Sequence, residues 1–156
     1  MISRKDLDKH YMSQALKEAG KAFSHDEVPV GAIIVHKNKI IGRAHNQTVL
    51  LKDATAHAEM IAITQACEEL QSARLPDTTL YVTLEPCPMC VGAMMHARIA
   101  RLVFGAREAK TGACGSMINL QVEGKWNHSF KIEEGLLEFE SAALLQEFFK
   151  KKRRGA

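Results

Sequence analysis

The chain has 156 residues, 46% of them apolar and 25% charged, with four cysteines and a net charge of +3. That is enough for one domain with a core of its own, and the composition excludes disordered and fibrous classes. No apolar run approaches the ~20 residues of a membrane span and nothing resembles a signal peptide. The expectation is therefore one domain over residues 1–156 in a reducing cytoplasm, off the membrane, where a Cys-x-x-Cys pair signals a metal or redox site sooner than a disulfide.

Residues 6–23 read as a first helix, with Leu7, Tyr11, Ala15 and Ala19 spaced four apart and Met12 and Leu16 beside them. A polar loop over 24–29 leads to β-rich runs at 31–36 and 40–46, split by Lys37-Asn38-Lys39 as a hairpin. A second helix is predicted from about 56 to 70, with Asp53 or Thr55 as its cap. A strand at 78–83, a helix at 88–96 and a strand at 99–104 follow, then a loop of small and charged residues at 106–115. A weak fifth strand at 130–132 precedes a closing helix at 136–154, whose apolar members are Leu137, Ala143, Leu144, Phe148 and Phe149. That order argues a mixed sheet flanked by helices. Between residues 146 and 154 five cations face one anion, so this segment carries +4 and the rest of the chain −1. Excess charge gathered at one end suits a partner that presents phosphate locally.

The chemistry gathers in two stretches, Thr55-Ala56-His57-Ala58-Glu59 and Thr83-Leu84-Glu85-Pro86-Cys87-Pro88-Met89-Cys90. With Cys87 as a helix cap and Pro88 in the first turn, both sulfurs project to one side of a helix entrance, where the thiolate is favoured. His57 adds an imidazole. Two thiolates and one imidazole suit zinc and leave a fourth tetrahedral position open. Glu59 is the candidate general base and acid. Two residues apart, His57 and Glu59 lie roughly 200° around a regular helix, so they can share a site only at its entrance.

These stretches, with Glu27-Val28-Pro29-Val30-Gly31-Ala32, Asn46, Val103-Phe104-Gly105-Ala106 and Lys110-Thr111-Gly112-Ala113, resemble the bacterial tRNA-specific adenosine deaminases over about residues 5–154. The resemblance implies a cytidine-deaminase-like three-layer α/β/α sandwich around a five-stranded mixed sheet. It implies one zinc per subunit held by His57, Cys87 and Cys90, and a water activated with Glu59 for hydrolytic deamination of adenosine to inosine at the wobble position of a tRNA anticodon loop. It further implies substrate contacts from Asn46, Pro29, Val30, the Ala58 backbone, Glu108 and Phe149, and a homodimer. Glu108 departs from the family's usual Asp, and Phe23 stands where tryptophan is common. Lys152, Arg153 and Arg154, following Phe148 and Phe149, combine aromatic platform and cations as RNA binding requires.

Several residues carry bland readings. Cys67 falls on an apolar helix face and reads as core, Met89, Met94 and Met95 as filling, and Cys114 as a small, incidental loop residue whose thiol, if exposed, is open to oxidation. His96 and Arg98 suit either phosphate contact or a subunit contact. The nearest rival function is a zinc deaminase of a free base or nucleoside, of guanine or cytosine type, with the same catalytic residues. A non-catalytic zinc module would need Cys114 or His96 as a fourth ligand. A dithiol oxidoreductase built on Cys87 and Cys90 would leave His57 and Glu59 without a task.

Overall fold

The computed structural model describes residues 2–155. Ten elements follow in order: α1 (Arg4–Ser24), β1 (Gly31–His36), β2 (Lys39–His45), α2 (Ala58–Leu70), β3 (Thr78–Leu84), α3 (Pro88–Ala97), β4 (Arg101–Ala106), α4 (Leu120–Glu123), β5 (Lys131–Glu134) and α5 (Glu138–Gly155). The strands form one sheet in the order β2-β1-β3-β4-β5. β1 is antiparallel to both β2 and β3, whereas β3–β4 and β4–β5 are parallel. This is the three-layer mixed α/β sandwich expected.

Side chains alternate across the sheet with the period of two that a pleated strand imposes. Ala32, Ile34, Leu80, Val82, Leu102 and Phe104 join the larger core beneath α2 and α3. Ile33, Val35, Tyr81 and Val103 pack with Tyr11, Met12 and Ala15 of α1 on the other face. Burial on both faces explains why the middle strands read as apolar runs rather than as alternating ones. The β1–β2 turn rests on Lys37 and Asn38, with φ of 50° and 61°, the left-handed pair that a two-residue hairpin requires.

Boundaries moved where an unexpected group took over. α1 starts at Arg4 rather than at residue 6 because Ser3 caps it, its hydroxyl accepting from the Asp6 N–H. Leu137, with φ 53°, breaks the chain before α5, so that helix begins later than the apolar pattern suggests. In α5 the expected Ala143 and Phe149 are exposed, while Ser141 and Phe148 are buried. β5 extends through Glu133 and Glu134, which composition alone assigns to a loop. These two carboxylates pair with Arg101 and Arg107 of the β4 strand and its exit.

Arg101 sits at the centre of a buried polar cluster. It donates to Asp8 Oδ1 at 2.9 Å and to Glu133 at 3.1 and 2.7 Å, and the Tyr81 hydroxyl donates to Asp8 Oδ1 at 2.6 Å. Burial alone would raise the Asp8 carboxyl, but the hydrogen bonds from Arg101 and Tyr81 outweigh it and hold the group below 3.8. The stability from that shift is present above pH 3.8 and is lost as pH falls through the lowered value. Arg101→Met should destabilise the protein by about 3–5 kcal/mol, because it strands a buried carboxylate; urea unfolding at neutral pH measures this as a lower midpoint.

β1 runs against both its neighbours, so β2, β3 and β4 all point the same way. Their carboxyl ends, with the start of β1, therefore share one edge of the sheet. Ligands of open α/β sheets bind outside such an edge.

Candidate active site

Two helix entrances meet at that edge. His57 is the residue before α2, extended at φ −74° and ψ 151°, and Cys87 holds the same position before α3, with Pro88 in the first turn. Neither Asp53 nor Thr55 caps α2, as the sequence suggested. Asp53 folds onto itself instead, its Oδ1 accepting from the Thr55 N–H at 2.8 Å and the Thr55 hydroxyl at 2.7 Å. The α2 entrance takes its partner from across the sheet edge: Asn46 Oδ1 accepts from the Ala58 N–H at 3.0 Å. Because His57 precedes the helix and Glu59 lies within its first turn, the regular angular separation does not apply, and both line one cavity.

His57 Nδ1 stands 3.6 Å from Cys87 Sγ and 3.6 Å from Cys90 Sγ. The three donor atoms lie within 4.8 Å of one another, and among the described residues no other His, Cys, Asp or Glu joins the group. Cys114 and His96, the fourth ligands a structural zinc module would need, stand apart from it. Cys87 is pulled down to about 4, chiefly by the hydrogen bond from Cys90, with His57 adding to it. Cys90 is pushed up by that same shared proton and by burial. His57 is raised by its bond to Cys87. A ready thiolate, a second thiol and an imidazole on two helix N-termini form a donor set that fits zinc.

Glu59 is 4% exposed. Burial pushes its carboxyl up to about 7, the range in which a group can both take and give a proton at neutral pH. It lines a cavity of about 170 Å³ together with Val28, Val30, Asn46, His57, Cys87 and Glu108. Asn46 is buried, and with Oδ1 committed to Ala58 it offers a ligand its amide protons.

Other expectations meet a different arrangement. Pro29 is buried but lines no part of the cavity; the chain turns tightly there, the Val30 N–H donating to the Val28 carbonyl at 2.8 Å, and Val28 and Val30 form the wall. Of the Ala58 backbone, expected to read a base edge, the N–H donates to Asn46 Oδ1. One oxygen of Glu108 accepts from the Lys110 N–H at 3.0 Å. Cys114 is buried, and burial raises its thiol to about 12, so it is no exposed redox group. Cys67 is half-buried against the core, Met94 and Met95 are buried, and Met89 packs at the core's edge. His96 is exposed and, with Arg98, Arg74 and Trp126, lines a separate hollow at the far end of α3.

Among the buried carboxylates that sequence reasoning missed, two fix the loops beside the site. Glu85 accepts from the N–H groups of Glu108, Cys114 and Ser116 at 3.1, 2.9 and 3.1 Å, and from the Ser116 hydroxyl, which fixes the loop after β4. A side chain at Gly112 would strike both this carboxylate and the Glu108 carbonyl, so the loop closes only over glycine. Glu27 does the same for the loop after β2. The sole sequence signal was an acid inside each apolar motif.

On α5, Phe148 is buried between Phe23 and Phe149, ring centroids 5.9 and 5.3 Å apart. Phe149 is 45% exposed. Lys152 forms a 2.6 Å ion pair with Asp26 and lies over the Phe148 ring, which docks the basic end of α5 two residues from Val28. Arg153 and Arg154 are exposed.

A family model of MafB19-like deaminases matches residues 7–153. A tRNA-specific adenosine deaminase of Bacillus subtilis (strain 168) is 46% identical over 94% of this chain and 91% of its own length. One from Aquifex aeolicus (strain VF5) is 49% identical over 92% of this chain and 95% of its own. A solved structure from work on A-to-I editing by tRNA:A34 deaminases superposes with a TM-score of 0.85 at 46% identity, covering 87% of this chain and 99% of that one.

Proposed function

The chain belongs to the MafB19-like deaminases and, within them, to the tRNA-specific adenosine deaminases, and from that membership we propose that it converts adenosine to inosine at the wobble position of a tRNA anticodon loop. The observation that carries the reading is the pairing of a three-donor cluster with a buried, proton-active Glu59 in one cavity. A base in an anticodon loop is already partly unstacked, so withdrawing it into such a cavity costs less than opening a duplex.

His57, Cys87 and Cys90 are the residues to hold zinc, which when bound supplies Lewis acidity that makes water a better nucleophile near neutral pH. Glu59 takes the proton that water gives up as its oxygen bonds to C6 and delivers it to N1; it then takes the second proton from the new C6 hydroxyl and passes it to the amine as the C6–N bond breaks and the carbonyl forms. Water is consumed and ammonia released. Asn46 holds the nucleoside through its amide protons, Val28 and Val30 close the apolar side, and Glu108 accepts from a ribose hydroxyl. Phe149, Arg153 and Arg154 receive RNA outside the cavity, and Lys152 contributes from its ion pair with Asp26.

The deaminase domain spans residues 1–156 and works as a homodimer in the cytoplasm. The family resemblance is what supports the dimer, and four free cysteines support a reducing compartment. No helix among the described residues is long and apolar enough to cross a membrane.

Incubating the protein with an anticodon stem-loop carrying adenosine at the wobble position should yield inosine. Ammonia from free guanine or cytosine, with no inosine from the stem-loop, would overturn the assignment in favour of a free-base deaminase. Removing residues 150–156 should weaken stem-loop binding and flatten its salt dependence, since the slope follows the number of phosphates neutralised; an unchanged slope in a titration from 50 to 200 mM salt, on the order of the range where such contacts respond, would deny the tail that role.

A further inference from the structure

Glu27 is 1% exposed, yet the partners of its carboxylate are two backbone amides of one loop: Oε1 accepts from the Val49 N–H at 3.1 Å and Oε2 from the Leu50 N–H at 2.7 Å. Burying a carboxylate is costly unless its charge is met by hydrogen bonds, and here the charge serves to fix the loop after β2. The loop backbone closes on itself as well, Gln47 N–H to the Ala56 carbonyl at 3.0 Å, Leu51 N–H to the Gln47 carbonyl at 3.0 Å and Asp53 N–H to the Thr48 carbonyl at 3.1 Å. Ahead of the exposed Lys52 and Asp53, this loop displays an apolar run. Val49, Leu50 and Leu51 are 68%, 63% and 53% exposed, the longest consecutive run of exposed large hydrophobics among the described residues.

The loop springs from the cavity at both ends. Asn46 at one end and His57 at the other both line the cavity, and so does Val28, the neighbour of Glu27. At about 170 Å³ the cavity is well below the ~300 Å³ at which pockets begin to enclose drug-sized ligands. It takes a base and leaves the adjoining nucleotides outside. Withdrawing the target base leaves its neighbours without a stacking partner, and an apolar surface in that place shields their faces from water.

We propose that Val49, Leu50 and Leu51 form a shelf on which a base adjoining the target adenosine packs, with Glu27 as the positioning residue that holds the shelf; this rests on the deaminase reading above. A second copy of the chain is the weaker occupant, because three side chains fall far short of the ~800 Å² that each partner commits to a stable interface.

The test compares three RNAs: the intact anticodon stem-loop, and versions with an abasic ribose on the 5′ or the 3′ side of the wobble adenosine. Each is assayed with the unmodified protein and with a Leu50→Ser, Leu51→Ser double variant. The variant should raise KM for the intact stem-loop about tenfold, the scale of one lost apolar contact, and lower kcat far less. On one of the abasic RNAs variant and parent should have equal KM, the non-additivity that marks a direct contact. Glu27→Gln should show the same loss of coupling. Additive effects on both abasic RNAs would overturn the shelf, and so would a change in sedimentation of the serine variant, which would assign the surface to a second copy. A parent protein that yields no inosine from the intact stem-loop would overturn the function itself, a result distinct from additivity.

Discussion

Glu59→Gln should retain zinc and fold while losing about 10²- to 10⁴-fold in kcat, the contribution of a positioned general acid and base. Glutamine matches the carboxylate in shape and fills the same buried position, but it cannot accept a proton. Three consequences separate this from damage to the site. Elemental analysis should return the parent's zinc content, because the three donors lie within 4.8 Å of one another without the carboxylate among them. Thermal unfolding should occur at the parent's temperature or above, since Glu59 is buried and ionising it there is unfavourable. KM should change little beside kcat. Retained turnover, or zinc lost along with it, would remove Glu59 from the proton path.

The second large effect is loss of the metal. His57→Ala, Cys87→Ala and Cys90→Ala should each fail to hold stoichiometric zinc after dialysis, with inosine formation falling to the uncatalysed background. His57 is the most informative of the three. It precedes α2 without any side-chain cap hydrogen bond, so alanine there removes a ligand and leaves the helix start intact; far-UV circular dichroism should not change. Cys90 is fully buried, and its alanine variant also leaves a small void, so part of its loss is stability. Cys114→Ser supplies the contrast. Buried but distant from the donor group, it should keep full zinc, and a loss there would revive the four-ligand structural module.

Much of this was legible from short-range pattern. A Pro-Cys-x-x-Cys run and a His-x-Glu run carry their meaning in spacing, and spacing survives folding. The hairpin at Lys37-Asn38 and the middle strands were equally readable, because period and turn chemistry are local. What escaped has a common cause. Glu85, Glu27 and Asn46 act on backbone amides 12 to 31 residues away, and no composition window registers such a partner. The second half of β5 escaped for a related reason: Glu133 and Glu134 look like loop residues until Arg101 and Arg107 stand opposite them. The α2 cap is the same lesson in reverse. Asp53 and Thr55 had the right chemistry, and a more distant asparagine had the right place.

The two-residue turn at Lys37-Asn38 has a practical consequence. β1 enters from the catalytic edge and runs six residues before reaching it, so the turn lies about 20 Å from the chemistry at ~3.3 Å per residue. A fluorescent label or a fused protein attached there would sit behind the sheet, leaving the approach of a bulky nucleic acid unobstructed. That makes this corner, rather than the basic end of α5, a natural handle for immobilising the enzyme or watching it engage its substrate.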